Sequence, residues 1–240
     1  MKTAVAVFVK TPGFSPIKTR LAQVIGYSAA ESFFIQCVQT IEKTLLEVKE
    51  LSNDKLKPFW AVGEKDGISN LLWKNFKTIY TEKGSLGERQ HWVYSSLKRD
   101  YDSVILIGAD SPQQSVSGIF KAVKALNSEN DFILGPALDG GYYLLGGKGE
   151  IPLKVWMGIP YSAKNTYSMM LNALKARGTV QELNALVDVD TADDLNQLII
   201  DLNASEIQQH RKLAGWITSQ IWFTKVHDET VSDQFKYGNI

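Results

Sequence analysis

The chain opens on Ala4-Val5-Ala6-Val7-Phe8-Val9, apolar at consecutive positions, which predicts a parallel strand buried on both faces. Further on, Phe34, Val38, Ile41, Leu45 and Val48 recur at steps of four and three, predicting an amphipathic helix, and Ser28 with Glu31 reads as its capping box. Phe59-Trp60-Ala61-Val62, after Pro58, predicts a second strand, and Ile79-Tyr80 a weaker third. Leu86, Gln90, Val93 and Leu97 mark one face of a helix. Val104-Ile105-Leu106-Ile107 is a buried strand ending at Gly108, and Ser115 or Ser117 starts a helix that carries Ile119, Val123 and Leu126. Phe132-Ile133-Leu134 and Tyr142-Tyr143-Leu144-Leu145 read as strands flanking Asp139-Gly140-Gly141. From Ser162 onward helices dominate, with Thr191 to Leu202 and Ser205 to Trp222 as helical stretches. The polar tail after Thr224 is expected to be loosely held.

Strands alternating with helical segments predict an α/β fold built on a single, mostly parallel Rossmann-like sheet, with one antiparallel hairpin. No Pro/Gly/Ser-rich linker divides the chain, so residues 1–200 are read as one domain. Residues 201–240 are read as a helical C-terminal extension packed on it. Composition narrows the function classes. The chain has 26 Lys+Arg against 26 Asp+Glu over 240 residues, so no net charge argues for nucleic acid or an anionic membrane as partner. Hydrophobic residues make up 44%, enough for a core without disulfides, and the single cysteine, Cys37, reads as a core filler on a helix. No apolar run approaches the roughly 20 residues of a membrane span, and the first strand lacks a signal-peptide cleavage site, so a cytoplasmic location is expected.

In an open α/β sheet ligands bind beyond the carboxyl ends of the strands, so the segments leaving the strands carry the candidate chemistry. After the first strand, Lys10, Lys18 and Arg20 place three cations within eleven residues around a loop stiffened by Pro12 and Pro16. Either the loop is a solvated basic segment or its cations converge on a phosphate, with Arg20 offering a bidentate fork. Neither a Walker loop nor a dinucleotide fingerprint is present. Asp110 stands immediately beyond a buried strand, suited to a hard cation or to starting a turn. Asp139-Gly140-Gly141-Tyr142 is either a hairpin turn or a place where glycine backbone approaches a ligand and Tyr142 adds a ring and hydroxyl. Asp188, Asp190, Asp193 and Asp194 fall within seven residues. The last two suit the first turn of a helix capped by Thr191, which leaves Asp188 and Asp190 on one face of an extended stretch. Two carboxylates at 4 Å repel by up to about 4 kcal/mol at an effective dielectric of 20, so a converging pair needs a proton or a metal, and a divalent cation is the simplest resolution if Asp190 meets Asp110. Gly84-Ser85-Leu86-Gly87-Glu88-Arg89 opens a helix whose free N–H groups could receive a base or phosphate, or be a plain N-cap. His91, His210 and His227 are scattered, and with no H-E-x-x-H or G-x-S-x-G motif, zinc or serine-triad chemistry is disfavoured.

Taken in order, five segments resemble one family: Phe8–Pro12 with Lys18–Leu21, Gly84–Arg89, Gly108–Pro112, Gly135–Tyr143 and Asp188–Thr191. It is the bacterial GT-A-like transferase family catalogued as of unknown function and described as associated with radical-SAM or selenoprotein domains. The resemblance covers roughly residues 1 to 200, with Ser85 where the family often has an acid and Ser111 where it often has Cys. It implies a nucleotide-diphospho-sugar transferase fold, related to the molybdenum-cofactor and 2-phospholactate guanylyltransferases. It further implies Mg²⁺ or Mn²⁺ on Asp110, completed by Asp190, and phosphates held by Lys10, Lys18 and Arg20. The base would lie at Leu86 and Gly87 with Arg89 beside them, and Asp139, Gly140, Gly141 and Tyr142 would face the sugar or acceptor. Lys18 and Asp139 are the candidate catalytic groups, Asp139 as base or hydroxyl-positioning group. The expected function is a metal-dependent glycosyl transfer from a nucleotide sugar to a small-molecule acceptor. The alternatives are nucleotidyl transfer with pyrophosphate release, or a nucleotide-binding protein without catalysis. Trp216, Trp222 and Phe223 either pack in the core or make a subunit contact, which leaves a homo-oligomer open.

Overall fold

The alternation of side chains along the central strands divides the interior in two. In a computed structural model that describes residues 1–205 and 207–223, β1 (Thr3–Val9) sends Val5, Val7 and Val9 to one face and Ala4 and Ala6 to the other. β4 (Ser103–Gly108) repeats the division, with Ile105 and Ile107 on the first face and Val104 and Leu106 on the second. The first face is covered by α2 (Tyr27–Leu51) and α4 (Val116–Leu126), and the second by α3 (Leu86–Lys98), α5 (Leu153–Met157) and α6 (Thr166–Lys175). The remaining strands are β2 (Leu56–Val62), β3 (Lys77–Tyr80), β5 (Phe132–Pro136), β6 (Tyr142–Gly147) and β7 (Val180–Glu182). They complete one sheet in the order β3-β2-β1-β4-β6-β5-β7, in which only β6 runs against its neighbours. This is the mostly parallel α/β sheet with an antiparallel pair that the pattern predicts.

Helix α2 is buried on two sides. Phe34, Val38, Ile41, Leu45 and Val48 pack on the sheet as expected. Ala30, Phe33 and Cys37 face a third layer made by α1 (Thr19–Ile25), α7 (Asp194–Ala204) and α8 (Gln208–Thr218). Cys37 is therefore the core filler the sequence suggests, and burial holds its thiol protonated by pushing its pKa well up. Val187, Val189 and Leu195 join the same layer, which seats the Asp188–Asp190 stretch against α1. Phe223 is buried there, and Trp216 and Trp222 meet edge to face at 6.4 Å.

Several local expectations give way to tertiary context. Ser28 and Glu31 form no capping box, because α2 begins at Tyr27 directly after Gly26 and no side chain caps it. Strand β2 runs back through Pro58, which is tolerated because β3 pairs only from Phe59 onward. Leu86 is 45% exposed and stands outside the face formed by Val93, Tyr94 and Leu97. Helix α7 begins at Asp194, not at Thr191. The Asp194 carboxylate instead reaches back to the N–H groups of Asp190 (3.0 Å) and Thr191 (2.7 Å). The helical stretch expected from Ser205 is interrupted at Ser219-Gln220. Ser115 caps α4 through the Gly118 N–H, and Ser85 caps α3 in a complete capping box with Glu88. The tail after Thr224 lies outside the described residues. Among the described residues no helix is long and apolar enough to cross a membrane.

Candidate functional site

Because β1, β2, β4 and β5 are parallel, their ends at Val9, Val62, Gly108 and Pro136 lie along one edge of the sheet. Antiparallel β6 starts at this edge with Tyr142, and parallel β7 ends there before the chain returns through residues 183–190. Every candidate segment thus reaches the same side of the molecule.

The first loop divides its cations. Lys10 is exposed, and its ammonium donates to the Pro16 carbonyl of its own loop at 3.1 Å. Lys18 behaves differently. It sits at the N-cap of α1 with φ 48° and ψ 47°, a left-handed conformation that costs a non-glycine residue about 1–3 kcal/mol. That backbone turns the stem inward, leaving the side chain only 4% exposed with Nζ 2.6 Å from Asp110 Oδ1. The same ammonium donates to the Val189 carbonyl. Burial alone would lower its pKa, but Asp110 and Asp188 outweigh burial and the net direction is upward, so Lys18 is a buried cation. Arg20, two residues on, pairs with Asp190 at 2.6 Å on the exposed rim.

The acid wall differs from the expected one. The sequence reading selects Asp190 as the partner of Asp110, whereas the structure gives the Asp190 carboxylate to Arg20 and brings Asp188 to Asp110. Val189 N–H donates to the Asp110 carbonyl at 3.0 Å, which docks this stretch across the end of β4. Ser111 Oγ then donates to Asp188 Oδ1 at 3.3 Å. Burial raises the Asp188 pKa, the charges of Asp110 and Asp139 raise it further, and Lys18 and the Ser111 hydroxyl oppose them. Spacing could not choose between Asp188 and Asp190, since both alternate with buried Val187 and Val189 and share one face. The backbone bond to β4 makes the choice.

Asp139 lies near enough to act on Asp188 electrostatically, and its Oδ1 accepts the Gly141 N–H at 2.8 Å, closing the hairpin turn. Gly140 has φ 96°, and a Cβ there would stand 2.4 Å from the Lys164 carbonyl oxygen, so this position is glycine for backbone reasons. Its carbonyl accepts from Tyr167 N at 2.8 Å, tying the hairpin to α6. The Tyr142 hydroxyl is not offered to a ligand. It donates to Gln90 Oε1 and borders the Tyr161 hydroxyl, and burial with Tyr161 holds its pKa well above the usual phenol value. On α3, Gly87 is buried with its Cβ position 2.6 Å from the Trp156 carbonyl, which makes it a close-packing glycine against α5 and not an open backbone face. Leu86 remains exposed beside it, and Arg89 Nε donates to the Gly84 carbonyl at 3.0 Å. Sequence reasoning kept Asp188 beside Asp190 but chose the latter, and it missed Ser111, Gln90 and Tyr161 as neighbours of the candidate residues. Gln90 lay on the predicted face of α3, but a core-facing label hides its hydrogen-bonding role.

The residues present suit a hard divalent cation only in part-ligated form. Among the described residues no group of three or more His, Cys, Asp or Glu is arranged to hold a metal ion. Asp110 and Asp188 nevertheless place two carboxylates together, one 42% exposed and the other with its ionisation opposed by its neighbour. Mg²⁺ is commonly held by one or two carboxylates plus substrate phosphates and water, so this pair fits a cation that arrives with a phosphorylated donor.

Residues 49–163 match the DUF2064 family, described as an uncharacterized protein conserved in bacteria. That stretch contains Asp110 and the Asp139–Tyr142 turn, while Lys18 and Asp188 lie outside it. A comparison with curated proteins finds no significant match. Among solved structures, the chain is similar to a protein from Desulfovibrio desulfuricans G20 provisionally described as a nucleotide-diphospho-sugar transferase. The TM-score is 0.74 at 26% identity, covering 96% of each chain. It also resembles a CMP:2-keto-3-deoxy-manno-octonic acid synthetase solved with CTP, with TM-score 0.53 and 13% identity over 86% of this chain and all of that one. A third likeness is to 4-diphosphocytidyl-2C-methyl-D-erythritol synthase from Anaerococcus prevotii DSM 20548, with TM-score 0.51 and 10% identity over 80% of this chain and 94% of that one. Sheet order and these likenesses define the fold as that of the nucleotide-diphospho-sugar transferases.

Proposed function

We propose that the chain is a transferase acting on a nucleotide-activated donor, with a nucleoside-diphosphate sugar as donor and a small hydroxylated molecule as acceptor. The observation that carries this reading is the meeting of Lys18, Asp110 and Asp188 at the carboxyl edge of the sheet, where an α/β fold binds its ligands. Lys18 and Arg20 are the groups for the diphosphate, Lys18 as a point charge and Arg20 as a planar fork at the rim. Charge builds on the departing nucleoside diphosphate during transfer, and cations brought against it lower the barrier. Mg²⁺ or Mn²⁺ would be held by Asp110 and Asp188, and when bound it supplies neutralisation of the diphosphate. Asp139 has one oxygen committed to the Gly141 N–H, so its second oxygen is the one to position the acceptor hydroxyl or accept its proton. The 26%-identical D. desulfuricans protein supports the sugar-nucleotide choice of donor.

Incubating the purified protein with Mg²⁺ or Mn²⁺, separately with nucleotide sugars and with nucleoside triphosphates, tests the reading. Release of a nucleoside diphosphate from one of the sugars is expected. Pyrophosphate from a triphosphate would make the enzyme a nucleotidyltransferase instead, and no turnover of either set, with nucleotide still bound, would leave a binding protein.

A further inference from the structure

We propose that Lys18 is a built-in stand-in for the divalent cation: its ammonium neutralises the Asp110–Asp188 pair in the unliganded protein, and a cation binds only by displacing it. Cation and donor binding are then coupled, because the displaced ammonium becomes available to the donor's phosphates. The inference rests on the reading above in assigning Asp110 and Asp188 to the cation.

The geometry of Lys18 is wrong for a waiting phosphate ligand and right for a counter-ion. A side chain 4% exposed cannot meet an incoming diphosphate while it remains where it is. Its Nζ lies 2.6 Å from Asp110 Oδ1. A Mg²⁺ ion bonds a carboxylate oxygen at about 2.0–2.1 Å and needs room for its waters, so the ammonium stands in the coordination space of that oxygen. Two cations on one oxygen also repel. The ammonium has a second anchor in the Val189 carbonyl, on the strap that carries Asp188, so it joins the two acidic segments as a shared cation would. Arg20 offers the contrast. Its side chain is 68% exposed, and its partner Asp190 lies on the open rim, so it can bind phosphate without giving up a buried site. Lysine suits the displaced role because a compact charge on a flexible stem keeps its donors wherever it points, whereas arginine's fork is useful in one orientation. Linkage makes the coupling reciprocal: a donor that captures the Lys18 ammonium raises cation affinity by the factor with which the cation raises donor affinity.

Mn²⁺ binding to the full-length protein, read from the free-ion electron paramagnetic resonance signal, tests this without turnover. Lys18→Met keeps most of the stem and removes the charge, and it is expected to tighten Mn²⁺ binding about tenfold or more. Asp110→Asn is expected to weaken it. Unchanged or weaker binding by Lys18→Met overturns the stand-in. A measurement on the wild-type protein covers the case in which Lys18→Met does not fold. Acetylation of Lys18, followed by peptide mass spectrometry, is expected to be slow in the metal-free protein and about tenfold faster in saturating Mg²⁺ without nucleotide. A rate that Mg²⁺ leaves unchanged, while Mn²⁺ binding still depends on Asp110, overturns this inference alone. Mn²⁺ binding that Asp110→Asn does not alter overturns the cation assignment itself.

Discussion

The wall of the cradle built from Lys18, Asp110 and Asp188 holds formal charges that are only partly solvated. A second wall, built from Gln90, Tyr142 and Tyr161, holds neutral groups: Tyr142 donates to Gln90, and the buried Tyr161 hydroxyl borders Tyr142 with no hydrogen-bond partner of its own among the described residues. In the first, each charge depends on the others. Lys18 stays protonated because of the two acids, and Asp188 resists ionisation because of burial and Asp110. In the second, burial pushes Tyr142 well above its ordinary pKa and Tyr161 to about 12, so neither titrates near neutrality. A charged wall of this kind can be reorganised by an arriving ion or phosphate, because ligand charges replace internal ones. The neutral wall has no such exchange available and serves as fixed scaffold, anchored by the hairpin through Gly140 and Tyr167.

Substitutions in the charged wall should act on function or on the pH dependence of stability, and those in the neutral wall and its hairpin on stability at any pH. Asp110→Asn is expected to have the largest effect, lowering donor turnover by roughly 10²–10³-fold, as removal of one charge-stabilising group does, with little change in the far-ultraviolet circular dichroism. Equal turnover by wild type and variant would remove Asp110 from the site. Gly140→Ala combines a positive φ with a backbone clash, so it should cost roughly 2–4 kcal/mol and lower the melting temperature by several degrees. A melting curve that overlays the wild type would mean the hairpin relaxes freely.

Asp188 sharpens the comparison through pH. Its folded pKa lies above the unfolded value, so the folded state holds the proton more tightly. The associated stability is complete below the unfolded pKa and is lost as pH rises through the folded one. Asp188→Asn, permanently neutral, should therefore be more stable than wild type by the order of 1 kcal/mol near about pH 8 in metal-free buffer, and lose that advantage near about pH 4. Urea titrations at the two pH values decide it, and a variant less stable at the higher pH contradicts the assignment. Tyr142→Phe should cost about 1 kcal/mol at any pH between these, because Gln90 loses its donor while no charge changes. The smallest effect belongs to Arg20→Met. Its pair with Asp190 is 68% and 45% exposed, so stability should fall by less than about 1 kcal/mol. Donor binding, measured by calorimetry, should weaken more clearly.

Much of the frame could be read from the chain because each feature is local. The buried strands around Val5 and Ile105, the face of α2 from Phe34 to Val48, and the Ser85 and Ser115 caps depend on periodicity and near-neighbour hydrogen bonds. The same locality explains the failures. The Ser28/Glu31 box was outcompeted by a helix start at Tyr27, and β7, only three residues long, exists because β5 offers an edge to pair with. For the site, sequence order nominated loops that the fold brings to one edge of the sheet, but not which of their charges pair there. Lys10 and Lys18 look alike in a basic loop, and Asp188 and Asp190 look alike on an extended face. Nothing within a few residues of either pair distinguishes them.

Alternation and helical periodicity leave this chain few ways to bury its apolar surface other than an α/β sheet whose polar loops follow buried strands. Tertiary structure decided which charges meet. A left-handed turn at Lys18 and one backbone hydrogen bond from Val189 to Asp110 bring together groups from three distant stretches of the chain. Exposed charges separated by more than about 8–10 Å are largely screened at physiological salt, so only the folded chain could select that lysine and that aspartate from their neighbours.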